Sequence, residues 1–269
     1  FPRKNLEKLY TNKFKILEDM KKLNMGNKFP VTLSIGVGVD KDIETARKYA
    51  RASVDLAMGR GGDQAVIKNR LNFDFYGGRS KENEQRSKVR SRVTASSMME
   101  LIGQSSEVFV MGHTNADLDA VGAAAGIVCL CRKKGKPAYI VLDLANNSAS
   151  GLVELLRTAP EYKDVFISEQ DALLRCDSRS TLVVVDTNRP DQVQSRALLE
   201  SVTRVCVVDH HRRAADYITP VVVNLHEPYA SSASELVTEL LQYGVEADSI
   251  LPVEAKALMA GIFLDTKSF

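Results

Sequence analysis

The sequence is poor in the residues that build disulfide scaffolds and sulfur-bound metal sites. Only four of its 269 residues are cysteines, and no two of them form a C-x-x-C pair. Cys129, Cys131, Cys176 and Cys206 all lie in apolar segments. This placement indicates reduced, buried thiols of an intracellular protein and argues against zinc bound through sulfur.

The sequence also lacks a strong charge of either sign and a long apolar run. Its formal net charge is +2 and its pI is about 8.3, short of the basicity of a dedicated nucleic-acid-binding domain. No apolar segment is long enough to cross a bilayer, and no secretory signal is present. Because the chain begins at Phe1 rather than at a methionine, we interpret it as a piece of a longer protein.

The remaining composition is that of a globular protein with one or two domains. Hydrophobic residues make up 44% and charged residues 26% of the chain, enough for one large core or two smaller ones. Helical spacing of apolar residues predicts an amphipathic helix over residues 5–23. A β-rich run at 31–39, a helix over 43–58 and a strand at 64–68 then predict a β-α-β unit.

Two segments of this first part resemble the end of a GGDEF domain, namely TLSIGVG at 32–38 and YARASVDLAMGRGGDQAVIK at 49–68. The GGDQ at 61–64 matches the terminal turn of those domains by position, and not their nucleotide-binding hairpin. The resemblance therefore implies a degenerate domain without cyclase activity over residues 1–75. A phosphate-binding loop is disfavoured, because GRGGD lacks the Lys-Ser/Thr ending of such loops.

A connecting region is predicted at residues 76–104. The segment 75–92 begins as a turn and continues with mixed charges rich in arginine, which is typical of a linker that enters a solvated helix. Nucleic-acid binding by this segment is the less favoured alternative. Residues 105–269 then form a separate predicted domain.

From residue 107 onwards, short apolar strands alternate with helices, which predicts an α/β fold with a parallel sheet. Ligands of such sheets collect at the carboxyl ends of the strands. Metal-binding and acid–base side chains follow several of these strands or end a later apolar helix: His113, Asp117, Asp119, Asp186, Asp209, His210, His211 and Asp265. We expect them to meet in space. His226, the fourth histidine, is interpreted as a structural polar residue.

The charge of this set predicts bound cations. The four aspartates among the predicted metal donors bring four negative charges into one pocket, and these charges would repel one another unless cations are present. Two divalent ions would cancel that charge, and oxygen and nitrogen donors without thiolates favour Mn²⁺, with Mg²⁺ or Co²⁺ as alternatives. The predicted metal donors are His113, Asp117, Asp119, Asp186, His210 and Asp265. A two-metal site of this kind suits phosphoryl chemistry.

Four motifs in order, GHTNADLDA, VVDTNRP, VVDHHR and GIFLDT, resemble those of the DHH phosphoesterases. With the GGDEF-like segment before them and EPYASSASELVTELL between the third and fourth, the chain is most similar to GdpP-type cyclic di-AMP phosphodiesterases. This resemblance implies a DHH domain at 105–269, without the DHH-associated C-terminal domain. It also implies metal-dependent hydrolysis of cyclic di-AMP to linear pApA, which lowers the level of the second messenger.

The resemblance further implies roles for single residues. His113 and Asp117 would hold one metal, Asp119, His210 and Asp265 the other, and Asp186 both. His211 would face the substrate and Asp209 would orient the histidines. Arg189 and Arg212 are candidate phosphate contacts. The serines Ser231 and Ser232 are candidate contacts too, although capping of the following helix is the favoured interpretation.

The family also suggests partners and a location, and alternatives stay open. We expect a cyclic dinucleotide substrate, a homodimer, no duplex nucleic acid, and cytoplasmic domains of a bacterial protein anchored in the membrane by segments outside this chain. Another DHH activity is the main alternative, such as a nanoRNA or pAp phosphatase, an exopolyphosphatase, a pyrophosphatase or an exonuclease. A non-catalytic nucleotide sensor is the second. A further alternative is that this chain, which lacks the DHH-associated C-terminal domain, binds metal but does not turn over substrate.

Overall fold

The computed structural model describes residues 3–22, 31–59, 62–70, 72–77, 81–212, 216–228 and 230–266. It divides the chain into two compact units, Phe1–Gln85 and Arg86–Phe269. The division falls in a long helix, Lys81–Gln104, within the region predicted as a connection. Among the described residues, no helix has the length and apolar character needed to cross a membrane.

The first unit is a small three-stranded sheet with helices. Its elements in chain order are α1 Arg3–Thr11, α2 Ile16–Lys21, β1 Ile35–Gly38, α3 Ile43–Gly59, β2 Gln64–Lys68 and β3 Phe73–Gly77. Strand β1 pairs in parallel with β2, as a β-α-β unit requires, and β2 pairs with β3 in antiparallel fashion. The predicted strand at 64–68 and the predicted helix over 43–58 are confirmed.

Two features of this unit differ from the prediction. The helix expected over 5–23 breaks after Thr11, where Lys13 and Phe14 adopt positive φ angles of 50° and 55°. The break turns Phe14 and Leu17 into the small core, where they are 1% and 2% exposed. Leu23, the predicted end, lies outside the described residues. Strand β3 overlaps the segment interpreted as a turn and was missed, because none of its residues is buried and FDFYG has no continuous apolar run.

The second unit is an α/β domain around a six-stranded sheet. Its elements are α4 Lys81–Gln104, β4 Val108–Met111, α5 Leu118–Lys133, β5 Ala138–Val141, α6 Ser150–Arg157, β6 Phe166–Ile167, α7 Glu169–Arg175, β7 Thr181–Val185, α8 Arg196–Ser201, β8 Arg204–Asp209, β9 Val223–His226, α9 Ala233–Gly244 and α10 Pro252–Asp265. The strand order is β6-β5-β4-β7-β8-β9, and every pair is parallel. All six strands therefore end at the same edge.

Helices cover both faces of this sheet, as the continuous apolar strands require. Alternate strand residues such as Val108 and Val183 pack with α4, α5, α6, α9 and α10. Their neighbours Phe109 and Leu182 face the other side and pack with α7 and α8. The parallel α/β fold is confirmed, although strand β9 was not predicted.

The central helix α5 approaches α9 and α10 closely. A Cβ atom on Gly122 would lie 2.4 Å from the carbonyl oxygen of Ala257 and 2.9 Å from Ser234 Oγ. A Cβ on Gly261 would lie 2.2 Å from Ser234 Oγ. Only glycine allows this approach. It brings the end of α10 next to the start of α5.

Candidate metal centre

The loop after β4 brings three potential donors to the carboxyl edge of the sheet. His113 follows Gly112, and Asn115 adopts a positive φ of 57°, a conformation that asparagine tolerates well. Asp117 then caps α5, because its Oδ1 accepts hydrogen bonds from the backbone N–H groups of Asp119 (2.9 Å) and Ala120 (3.1 Å). The loop thus starts the helix with a carboxylate whose position is fixed.

Asp186 lies at the centre of the site, directly after β7. It is 3% exposed and has a positive φ of 61°. Such backbone strain in a residue other than glycine is a feature of functional sites. Its Oδ2 lies 3.4 Å from His113 Nε2, and its Oδ1 lies 3.4 Å from His210 Nε2. The two carboxylate oxygens therefore face two different histidines.

Asp186 belongs to one group of potential donors and faces a second. The first consists of His113, Asp117 and Asp186, and the second of Asp119, His210 and Asp265, with donor atoms within 4.8 Å of one another in each. His210 Nε2 lies 3.1 Å from Asp265 Oδ2 and 3.8 Å from Asp119 Oδ2. The structure thus brings all six predicted donors together. A third group consists of Asp186, His210 and His211.

Asp119 is held by the first turn of α9. Its Oδ1 accepts the backbone N–H of Ser234 at 2.8 Å, and its Oδ2 accepts that of Ala233 at 2.7 Å. The N-terminus of a helix carries a partial positive charge and free N–H groups, so it stabilises a carboxylate there. These two hydrogen bonds fix the direction of both carboxylate oxygens of Asp119, which is fully buried.

The histidines of the site respond to the surrounding carboxylates. Hydrogen bonding to Asp117 and then to Asp186 raises the pKa of His113 to about 10. Burial lowers the pKa of His210, but the carboxylates of Asp186 and Asp265 outweigh burial and raise it to about 10. Both shifts follow from the negative charge of the surrounding carboxylates, which favours positive charge at this site.

The aspartates repel one another at the same place. Burial, followed by the charges of Asp186 and Asp265, raises the pKa of Asp119 to about 7. Among the buried atoms without a hydrogen-bond partner in the described structure are Asp186 Oδ1 and His210 Nε2. Buried polar atoms without partners are rare unless they bind an ion or water. The donor set, the charge and these two atoms fit divalent cations with oxygen and nitrogen ligands.

A second polar cluster lies beside the donors. Asp209 ends β8 fully buried, and its Oδ1 accepts a hydrogen bond from His211 Nδ1 at 2.9 Å. Its Oδ2 accepts a short hydrogen bond from Asn188 Nδ2. Burial raises the pKa of Asp209, but the bonds from His211 and Asn188 outweigh burial and lower it. His226 Nε2 lies 2.6 Å from the carbonyl oxygen of His211.

A family model described as the N-terminal domain of the DHH family matches residues 107–262, over the sheet and the donors described above. The chain belongs to the DHH family. A second model, described as the GGDEF domain of GdpP-like cyclic di-AMP phosphodiesterases, matches residues 1–75. The resemblance inferred from the sequence motifs is confirmed in both parts of the chain.

The chain is also similar to two relatives in sequence and to one solved structure in fold. The chain is 41% identical to the cyclic di-AMP phosphodiesterase PdeA of Listeria monocytogenes and 38% identical to GdpP of Bacillus subtilis. Each match covers 98% of this chain and 41% of the relative, so the chain spans about two fifths of their length. An exopolyphosphatase-related protein from Bacteroides fragilis shares the fold, with a TM-score of 0.52, 19% identity, and coverage of 66% of this chain and 51% of that chain.

Four residues of the DHH domain were predicted to contact the substrate: Arg189, Arg212, Ser231 and Ser232. The Arg189 guanidinium pairs with Asp191 at the surface, 2.6 Å from its Oδ2. No hydrogen bond or ion pair within the described structure joins the side chain of Arg189 or Arg212 to the donors. Ser232 Oγ caps α9 by accepting the N–H of Glu235, and Ser231 Oγ donates to the Glu235 carboxylate. Capping, the favoured interpretation, is therefore observed for Ser232, while Ser231 binds the side chain of Glu235.

Three contributors to the DHH site were missed in the sequence. Asn188 was visible inside the motif VVDTNRP, two residues after a predicted donor, and that spacing was the available signal. His226 was interpreted as structural, yet β9 pairs with β8 in a register that sets it opposite Asp209. The third contributor is the start of α9, whose N–H groups bind Asp119. No local pattern announces it, because the two segments are far apart in the chain.

Proposed function

We propose that the protein of which this chain forms part hydrolyses cyclic di-AMP to linear pApA in a metal-dependent reaction. The observation that carries the proposal is the position of Asp186, whose two oxygens face His113 and His210 in two separate donor groups. The family membership supports phosphoester chemistry. The similarity to two proteins named as cyclic di-AMP phosphodiesterases, which covers both parts of the chain, supports the substrate.

The donor groups support an assignment of two metal ions. His113 and Asp117 would hold the first, Asp119, His210 and Asp265 would hold the second, and Asp186 would serve both. Imidazole and carboxylate ligands without thiolate favour Mn²⁺ over Mg²⁺ and leave Co²⁺ as an alternative. When bound, such a pair lowers the pKa of water and neutralises charge that develops on a phosphoryl group.

Residues next to the donors supply the remaining chemistry. Asp209 accepts the Nδ1 hydrogen of His211, which leaves the other ring nitrogen directed away from Asp209 on a side chain that is 56% exposed. We assign His211 to the substrate, where it donates a hydrogen bond or a proton to an oxygen of the scissile phosphate. Asp209 orients it. Phosphate contacts by Arg189, Arg212, Ser231 and Ser232 remain predictions, which alanine variants test through KM.

A comparison of substrates tests the proposal. Purified protein with Mn²⁺ is incubated separately with cyclic di-AMP, pApA and pyrophosphate, and the products are separated by chromatography. We expect pApA from cyclic di-AMP as the dominant reaction, and no turnover by the Asp186→Ala variant. Dominant pyrophosphate hydrolysis would instead assign another DHH activity. Binding of cyclic di-AMP without turnover, in full-length protein that binds Mn²⁺, would assign a non-catalytic sensor.

Assembly and location stay predictions. The homodimer expected from the family is tested by sedimentation equilibrium of the purified protein. Attachment to a membrane through segments outside this chain is tested by fractionation of cells that express the full-length protein. Duplex DNA at physiological salt is expected not to bind, because the chain carries almost no net positive charge.

A further inference from the structure

The side chain of Asn188 is joined to the side chain of His211 through Asp209. Asn188 follows β7, is 6% exposed, and donates from Nδ2 to Asp209 Oδ2, while Asp209 Oδ1 accepts from His211 Nδ1. The main chain of Asn188 is itself held, because its backbone carbonyl oxygen accepts a hydrogen bond from the backbone N–H of Ile218 at 2.9 Å. A carboxylate bonded at both oxygens has one orientation, so the His211 ring has one as well.

The backbone of His211 is restrained from the other side by His226. The Nε2–H group of His226 donates to the carbonyl oxygen of His211, which accepts at 2.6 Å. Because β9 is paired with β8, this donor lies at a fixed distance from the end of β8, and the Glu227 N–H also bonds to the Asp209 carbonyl. His226 therefore fixes the main chain of the residue whose side chain Asp209 fixes.

We propose that Asn188 and His226 are positioning residues for His211, a role that rests on the proposed function of His211 at the substrate. Asn188 acts on the imidazole through Asp209, and His226 acts on the backbone. Neither is a metal donor in the groups formed by the described residues. The ends of three neighbouring strands, β7, β8 and β9, each contribute one restraint on this half-exposed histidine.

The test uses the whole chain with ¹⁵N-labelled histidine. In metal-free protein, the His211 Nδ1–H proton bonded to a buried carboxylate is expected to be shifted downfield and slow to exchange, and the His211→Gln variant identifies its signal. In Asn188→Ala and His226→Ala this signal should exchange faster or broaden. The glutamine of His226→Gln keeps an N–H donor and should restore the signal. Asn146→Ala, in an exposed loop where Asn146 bonds only Asp143, is the matched control.

Kinetics with Mn²⁺ and cyclic di-AMP give the second readout. We expect kcat to fall about tenfold in both alanine variants, in the range seen when orienting partners are removed, with Mn²⁺ affinity and KM close to the parent values. Parent-like exchange of the His211 proton in both folded variants would overturn the proposal, whatever the activity. Loss of that signal in a protein whose parent does not cleave cyclic di-AMP would support the positioning role and reject the proposed reaction. Thermal unfolding checks that each variant folds. If one alanine variant does not fold, the His211 proton signal of the other alanine variant decides the outcome.

Discussion

Asp186 combines a strained backbone with the central charge of the donor cluster. Its φ of 61° costs free energy in most residues, and its carboxylate faces two histidines. Asparagine tolerates the same φ but has only one oxygen and no charge. The Asp186→Asn variant therefore removes the shared carboxylate and keeps the fold.

For Asp186→Asn we expect Mn²⁺ affinity to fall by about tenfold or more, as for the loss of a ligand or of its support. At neutral pH the metal-free variant should melt below the parent temperature, because Asp186 raises the pKa of His113 and His210 and both charged imidazoles lose this carboxylate. Isothermal titration calorimetry and thermal unfolding after EDTA treatment measure the two effects. Asp164→Asn, in an exposed turn, is the control. Parent-like Mn²⁺ binding by Asp186→Asn would refute the shared role.

The four cysteines are expected to differ in reactivity. Burial raises the pKa of Cys129 and of Cys206 to about 12 and raises that of Cys131 as well, while Cys176 is partly exposed. Since the thiolate is the reactive form, iodoacetamide at neutral pH should alkylate Cys176 alone in the folded protein. Mass spectrometry before and after unfolding in urea counts the modified thiols. Rapid alkylation of Cys206 in the native state would contradict the packing described for β8.

Residue chemistry of the site was largely predictable, because a donor set is a matter of residue type and of position at a strand end. His113, Asp186 and His210 could be identified in this way. The groups that hold the donors were not predictable. The α9 N–H groups on Asp119 leave no trace in residue type, since any residue except proline has an N–H.

At the scale of elements, α5 can approach α10 closely because Gly122 has no side chain. An alanine there would place its Cβ 2.4 Å from the Ala257 carbonyl oxygen, so one helix must move. We expect Gly122→Ala to cost about 1–3 kcal/mol of unfolding free energy, as for other overpacked cores. It should also weaken Mn²⁺ binding, because α10 carries Asp265. Urea unfolding and calorimetry measure the two quantities.

Gly151 provides the matched control for this substitution. It lies in α6, and a Cβ there would meet no heavy atom within 4 Å. Gly151→Ala is therefore expected to stabilise the protein by about 0.4–1 kcal/mol, because alanine restricts the unfolded chain more than glycine does. Equal effects of the two substitutions would show that the close approach of α5 and α10 is not needed.

Most elements of the second unit could be predicted from the sequence, because short apolar runs alternate with helical patterns. Buried parallel strands that are covered by helices produce this alternation. The break between α1 and α2 did not follow, because the apolar spacing continues across it and only tertiary packing of Phe14 favours the turn. Strands β3 and β9 did not follow either, because FDFYG and VNLH lack the continuous apolar run that marks the other strands of this chain, and β3 has no buried residue.

At the scale of the whole molecule, helix α4 belongs to the core of the second unit. Met98 and Ile102 are fully buried there, and Ser91 Oγ donates to Glu239 Oε2 at 2.8 Å. A fragment of residues 86–269 should therefore be more stable than one of residues 105–269, by about 3–6 kcal/mol from the burial of Met98 and Ile102. Urea unfolding of the two fragments measures the difference. Equal stability would move the start of the domain back to the boundary expected from the sequence.

The six donors also set an order in time. More than half of the chain separates His113 from Asp265, and the second donor group receives its last carboxylate only from the end of α10. A ribosome that has released the chain through His210 has released five of the six donors but cannot yet complete the second group. The second group of donors therefore stays incomplete until α10 has been synthesised and has docked against α5.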